Sequence, residues 1–202
     1  MNIRMPSEKR KLEIEQAAMQ LAFKVGPAQV TTGMIATKLG LSQPAIYKHF
    51  SCKDKIWSEI SKRLGMLIGE NITRAQAAVC RPDIRLKMLV MDHLQLIREY
   101  PALPEFMIMR DTKDGHIVLQ DTIQAAIINY RVALTKNVQA AVQDGIFSKT
   151  INPEDAATLI FGVIQSLVLR MIVSRNPEIL ITDGARLLDL QLTGFMSKGD
   201  TE

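Results

Sequence analysis

The sequence of 202 residues is poor in cysteine, which excludes several classes of protein. Cys52 and Cys80 are its two cysteines, too few for a disulfide framework or for a zinc site with cysteine ligands. A redox role would require the two thiols to lie close together, and we expect reduced thiols in a cytoplasmic protein instead.

Signals for export and membrane insertion are lacking as well. The N-terminus carries charged residues without an apolar run behind them, which is not the pattern of a secretory signal. The longest apolar stretch, residues 159–173, is interrupted by Gln165, Ser166 and Arg170, and we interpret it as too short and too polar to span a bilayer. These features predict a cytoplasmic protein without a membrane partner.

Motifs of catalysis are also missing. The sequence contains no Gly-rich phosphate loop, no nucleophile elbow and no His-Glu-x-x-His. Asp92 and His93 are adjacent, so on a helix their side chains point apart and do not form a catalytic relay. We therefore predict that the chain is not an enzyme and has no cofactor and no metal site.

The charge that is present is concentrated at one end of the chain. Residues 1–60 contain nine Lys or Arg against five Asp or Glu, whereas residues 61–202 contain sixteen of each. Apolar residues make up 47% of the chain, enough to bury a core. A basic segment joined to a neutral body predicts a module that binds a polyanion.

The apolar pattern is helical nearly throughout. Apolar residues recur three and four positions apart, as in Ile56, Ile60, Leu64 and Leu67, while hairpin turns and strand-like alternation are not found. Gly and Pro residues separate the periodic runs. The pattern predicts an all-α fold of about nine helices, over residues 8–24, 31–38, 43–49, 53–79, 83–99, 102–110, 116–144, 153–174 and 182–197. No flexible linker divides the chain, and we place the domains at 1–52 and 53–202.

Residues 31–50 have the pattern of a helix-turn-helix motif. Thr31 can cap a short helix, Gly40 suits the left-handed residue that ends it, and Ser42 can cap the next helix. Pro44 is tolerated in a first helical turn. Apolar residues of the second helix face back into a small core, and its polar residues point mostly outward.

Residues 14–57 resemble the DNA-binding domain of the tetracycline-repressor (TetR) family, most specifically over Gln43-Pro-Ala-Ile-Tyr-Lys-His49. The resemblance implies a three-helix N-terminal DNA-binding domain followed by a helical ligand-binding and dimerisation domain. Gly33 replaces a residue that is usually polar in that family, which favours close approach of the backbone to a phosphate. The partner is then double-stranded DNA with a pseudo-palindromic operator.

The chemistry of the side chains predicts their roles on DNA. Gln43 can form two hydrogen bonds to adenine, and Ala45 can contact a thymine methyl group. Lys48 suits either a base or a phosphate. Residues suited to phosphate contacts are Thr31, Ser42, Tyr47, His49 and Lys53. For Tyr47 and His49 the alternative is packing at a helix end.

The second domain contains residues suited to an apolar or aromatic effector. Methionine adapts to irregular cavities, and His or Arg can add a polar contact. The candidate effector-binding residues are Met91, His93, Met107, Arg110, His116 and Tyr130. Ordinary core packing is the alternative for each methionine, and we expect His93 to be a hydrogen-bonded core or pocket residue rather than a metal ligand.

The last two predicted helices are more apolar than one buried stripe requires, which indicates an interface. We predict a four-helix dimer interface that includes Leu159, Val163, Leu167, Met171, Leu188 and Leu192. A core helix within one chain is the alternative.

These observations predict a homodimeric, ligand-responsive transcriptional regulator, a repressor that a small apolar or aromatic effector releases from DNA. One alternative is a DNA-binding protein whose C-terminal domain is controlled by a protein partner. Another is a helical enzyme that modifies small molecules, which turnover without sequence-selective DNA binding would reveal.

Overall fold

A computed structural model describes residues 7–108 and 117–197 of the chain, with side chains described for 7–105 and 122–197. Ten α-helices occur in this described part: α1 (Ser7–Val25), α2 (Thr32–Leu39), α3 (Gln43–Tyr47), α4 (Lys53–Ala77), α5 (Pro82–Glu99), α6 (Leu103–Ile108), α7 (Ile117–Gln143), α8 (Pro153–Ser174), α9 (Ile179–Thr182) and α10 (Gly184–Thr193). A short 3₁₀ helix covers Pro27–Gln29. The predicted all-α fold is confirmed.

The helices form two compact units. The first comprises Met1–Gly65 with Tyr100–Gln124, and the second comprises Met66–Glu99 with Ala125–Glu202. Both units therefore take residues from α4 and from α7. The boundary between residues 52 and 53 stays a prediction about where the functional parts divide.

The core of the first unit stabilises its short N-terminal helices. Ile14 of α1, Ile35 of α2 and Ile46 of α3 are fully buried together with Trp57 of α4. These residues lie on the inward faces of their helices, and their burial removes apolar surface from water. The short helices are stable because they pack on one another and on α4, since helices of eight or five residues are marginal alone.

The C-terminal helix differs from the prediction of one helix over residues 182–197. The structure has α9 and α10 instead, and α10 ends at Thr193. Beyond it the backbone pairs with an earlier turn: Ser148 N donates to Phe195 O at 2.9 Å, and Ser197 N donates to Ile146 O at 3.1 Å. These bonds satisfy backbone groups that a longer helix would have used internally, so the helix stops.

Helix α8 corrects the sequence argument about membranes. Its 22 residues are long and apolar enough to cross a membrane by length and composition, although the sequence predicted a stretch too short and too polar. The helix buries one stripe, Ile160, Ile164, Leu167 and Met171, within the second unit. One third of its most apolar window is buried, so most of that window lies on the surface of the isolated chain.

Candidate nucleic-acid interface

The turn between α2 and α3 is built by local signals. Thr31 occupies the N-cap of α2, where its Oγ1 accepts a hydrogen bond from Met34 N at 3.2 Å. Gly40 ends the helix with φ 64° and ψ 31°, the left-handed conformation that favours glycine. Leu41 N then donates to Ala36 O at 2.9 Å, which completes the cap and sends the chain into α3. The predicted caps at Thr31 and Gly40 are confirmed.

Helix α3 is shorter than predicted and differs at its start. It covers Gln43–Tyr47 rather than 43–49, with Pro44 in the first turn. Ser42 occupies its N-cap position, but the Ser42 side chain makes no capping hydrogen bond. The prediction that the Ser42 side chain caps this helix is therefore wrong, and Ser42 is exposed.

The apolar and polar residues of α3 and the following turn lie on opposite sides. Ile46 is fully buried and Phe50 is 4% exposed, as predicted for residues that face the core. Gln43, Tyr47 and Lys48 are exposed, and Ala45 is half-buried. The helix therefore presents polar side chains from a rigid apolar base, the arrangement needed to read a DNA groove.

The other predicted contact residues flank this face. Thr31 and Ser42 are exposed, while His49 and Lys53 are half-buried. Nδ1 of His49 is buried without a hydrogen-bond partner among the described residues. His49 thus contributes to packing as well as to the surface, in line with the alternative considered for it.

Lys53 begins α4 beside the 3₁₀ helix. Its Nζ donates to Ala28 O at 3.2 Å, and partial burial lowers the pKa of the amine below its usual value. A nearby phosphate would oppose this effect, because a negative charge favours the protonated amine.

A polar contact that the sequence did not predict joins α2 to α3. Gln43 Nε2 donates to Oγ1 of Thr32 at 2.7 Å, and the same oxygen lies 3.2 Å from the Tyr47 hydroxyl. Thr32 is 6% exposed. No local sequence signal marks this residue, since its partners lie 11 and 15 positions away.

The segment that contains this site matches a known protein family. Residues 14–66 match the family described as "Bacterial regulatory proteins, tetR family". This range contains α2, the turn, α3 and the start of α4. The resemblance to the TetR family is thereby confirmed. The match covers residues 14–66, so the likeness to that family is shown for this N-terminal part of the chain.

Solved structures share the fold of this chain over most of its length. KstR2 of Mycobacterium tuberculosis, a ketosteroid transcriptional regulator, has a TM-score of 0.75 at 16% identity, over 98% of both chains. PfmR of Thermus thermophilus, a TetR family transcriptional regulator, has a TM-score of 0.68 at 23% identity, over 89% of this chain and 97% of its own. FadR of Bacillus subtilis, solved with stearoyl-CoA, has a TM-score of 0.67 at 20% identity, over 91% and 98%. A comparison with curated proteins finds no match.

Two of the candidate effector residues are in contact. The rings of His93 on α5 and Tyr130 on α7 stack with centroids 4.3 Å apart, and both residues are buried. The Tyr130 hydroxyl donates to Leu89 O at 3.2 Å, whereas His93 Nδ1 has no partner among the described residues. Burial lowers the pKa of His93 to about 4, so the ring is neutral near pH 7.

The remaining effector candidates are not brought together by the described structure. Met91 is half-buried on α5. The side chain of Met107 and all of Arg110 and His116 lie outside the described residues. An open groove of about 410 Å³ occurs elsewhere in the second unit, between α7 and α8, and its lining includes Ile128, Arg131, Val132 and Glu154. The candidates whose side chains are described, Met91, His93 and Tyr130, do not line this groove.

The predicted dimer residues divide into two groups. Leu167, Met171, Leu188 and Leu192 are buried within the single chain. Leu159 is exposed and Val163 is half-buried. The exposed apolar side chains of α8 and α10 are Leu159, Leu169, Val173 and Leu190. The periodicity does not separate the stripe that the chain buries for itself from the stripe that it leaves exposed, because both are apolar, and the dimer interface stays a prediction.

Proposed function

We propose that the chain is a homodimeric repressor that binds a pseudo-palindromic operator through α3 and is released by a small apolar or aromatic effector. The observation that carries DNA binding is the exposed face of α3, fixed by buried Ile46 and Phe50 and flanked by Thr31 and Lys53. Polar side chains held on a rigid helix suit base readout, while the flanking donors suit phosphates.

The exposed apolar residues of α8 and α10 support a dimer. Leu169 and Leu190 are 62% and 69% exposed in the single chain. Exposed apolar side chains on two helices that pack on each other favour an interaction surface. A second copy suits it better than lipid, because Arg170 lies on α8 and pairs with Asp183 at 2.8 Å. A two-fold dimer would present two recognition helices about 34–36 Å apart, one helical turn of DNA.

The stacked pair of His93 and Tyr130 supports effector binding in the second unit. A neutral His with an unpartnered buried nitrogen can accept or donate one hydrogen bond to a small molecule. FadR of Bacillus subtilis, similar in fold, holds stearoyl-CoA, whose acyl chain is apolar. The effector would act by binding one conformer of the protein more tightly than the other, with α4 moving its Lys53 end.

The test of DNA binding is a fluorescence-anisotropy titration at two salt concentrations. The probe is a duplex selected by the full-length protein from randomised DNA, with a scrambled duplex as the control. We expect a preference of about a thousandfold or more, and an affinity that falls steeply with salt. Equal weak binding to both duplexes would contradict sequence-specific binding and favour control through a protein partner. Small apolar and aromatic compounds are then screened for release of the bound probe.

Replacing Gln43 by alanine should reduce specificity at one base pair of each half-site. We expect discrimination at that position to fall roughly tenfold, because the amide no longer bonds to the base edge. Titration against all single-base variants of the selected operator measures this loss. Lys53→Ala is the contrasting variant, since a lost phosphate contact weakens all sequences alike and flattens the salt dependence. An unchanged ranking in Gln43→Ala would show that Gln43 does not read a base.

Replacing Leu169 by glutamate should dissociate the dimer. A charge at the centre of an apolar interface is left without a partner, and its desolvation opposes association. Sedimentation equilibrium should show the mass falling from that of a dimer to that of one chain. The affinity for the operator should fall as well. Val79→Glu is the control, because Val79 is fully exposed and lies outside α8 and α10. A Leu169→Glu variant that stays dimeric would place the interface elsewhere.

A further inference from the structure

One buried hydroxyl connects two side chains of α3 that can form hydrogen bonds to DNA. Thr32 lies in the first turn of α2, and its Oγ1 lies 2.7 Å from Gln43 Nε2 and 3.2 Å from the Tyr47 hydroxyl. Thr32 is 6% exposed, whereas Tyr47 is 47% exposed. The network thus has a buried centre and two surface ends.

One order of donors and acceptors satisfies every member of this network. An amide nitrogen only donates, so Thr32 Oγ1 accepts from Gln43. The single proton of Thr32 is then available to the Tyr47 oxygen. In this order the Tyr47 proton is left for an outside acceptor, such as a phosphate oxygen. Each hydroxyl both accepts and donates, and no proton is left without an acceptor once DNA is bound.

The same order fixes what Gln43 presents to a base. One hydrogen of its amide is held by Thr32, which leaves the second hydrogen and Oε1 unused in the network. A Cβ atom at Gly33 would lie 4.0 Å from Oε1, so the absence of a longer side chain at Gly33 leaves room beside this oxygen. A donor and an acceptor side by side match N7 and N6 of adenine.

Holding the amide in advance also lowers the entropic cost of readout. A free glutamine side chain loses rotamer freedom when it binds a base, whereas one already bonded to a buried hydroxyl loses less. The buried position of Thr32 makes this bond stronger than it would be in water, because the local dielectric constant is lower.

We propose that Thr32 is a positioning residue for sequence readout, whose hydroxyl orients the Gln43 amide toward adenine. The proposal rests on the proposed DNA-binding function and specifies how one base of the operator is selected. Thr32 acts through Gln43 and is not itself a base contact.

The experiment measures the Thr32→Val variant of the full chain against every single-base variant of the selected operator. Valine replaces the hydroxyl by a methyl group of similar size. We expect discrimination to fall about fivefold at the base pair affected by Gln43→Ala and to be unchanged elsewhere. Added to Gln43→Ala, Thr32→Val should have no further effect there, since the side chain it orients is gone. Thr32→Ser should restore the wild-type ranking.

Thr37→Val is the matched control, because Thr37 is an exposed threonine of the same helix. Unchanged discrimination in Thr32→Val would overturn the proposal, as would an equal loss of affinity for all sequences. If circular dichroism shows Thr32→Val to be unfolded, Thr32→Ala is measured with the same expected result. A wild-type protein without sequence preference would overturn the proposed function itself, whereas a selective wild type with a neutral Thr32→Val would overturn only this inference.

Discussion

Replacing Arg63 by methionine should lower the free energy of unfolding by about 3 kcal/mol, because it leaves a buried carboxylate without its partner. Arg63 Nε donates to Glu15 Oε2 at 2.7 Å, which joins α4 to α1 within the first unit. The Glu15 side chain is 6% exposed, so water cannot replace the lost guanidinium. Methionine keeps much of the apolar stem. Urea denaturation followed by Trp57, the single tryptophan and fully buried in this unit, measures the loss.

Removing Glu15 and removing Arg63 should have unequal effects on the free energy of unfolding. The Arg63 side chain is 36% exposed and can be hydrated when alone, so Glu15→Gln should be less harmful than Arg63→Met. Lys62→Met is the control, since the pair of Lys62 with Glu59 lies on the surface of the same helix and should cost less than about 0.5 kcal/mol. Equal effects of Arg63→Met and Lys62→Met would show that the buried pair contributes no more to stability than the surface pair.

Lowering the pH from about 7 to about 5 should remove about 2 kcal/mol of stability through His93 alone. Burial lowers the pKa of His93 from 6.5 to about 4 in the folded protein. Below pH 6.5 the unfolded chain therefore binds a proton that the folded chain does not. The contribution is complete above pH 6.5 and is lost as the pH falls toward 4. Urea denaturation followed by far-UV circular dichroism measures it at both pH values.

His93→Phe isolates this effect. Phenylalanine can keep a stacked ring on Tyr130 and removes the buried unpartnered nitrogen. We expect this variant to be close to wild type in stability near pH 7 and to lose about 2 kcal/mol less on acidification. If both proteins lose the same amount, other groups account for the acid sensitivity and His93 is not buried as a neutral ring.

Much of the DNA-binding segment could be predicted because its signals are local. Thr31 caps a nitrogen three residues away, and Gly40 is needed where the backbone adopts a positive φ. Pro44 fits a first turn because no intrahelical amide partner is required there. Such signals act over one helical turn, so the sequence alone predicts them.

The last helix and the outer face of α8 could not be predicted in the same way. The end of α10 depends on backbone pairing with residues 146–148, about fifty positions earlier in the chain. On α8 both Leu167 and Leu169 are leucines, yet the first is buried and the second is exposed. Apolar periodicity shows that a helix has partners, but it does not show which stripe the chain covers for itself.

The sequence by itself determined the helical class, the caps at Thr31 and Gly40, the turn that follows them, and the resemblance of the N-terminal segment to the TetR family. Periodicity and capping depend on residues one turn apart, which any stretch of chain carries with it. Tertiary structure alone decided that Thr32 meets Gln43, that Arg63 meets Glu15 and that His93 stacks on Tyr130. These contacts join different helices, and their partners are selected by how the helices cross, because side chains a few ångströms apart in space have no fixed spacing in sequence.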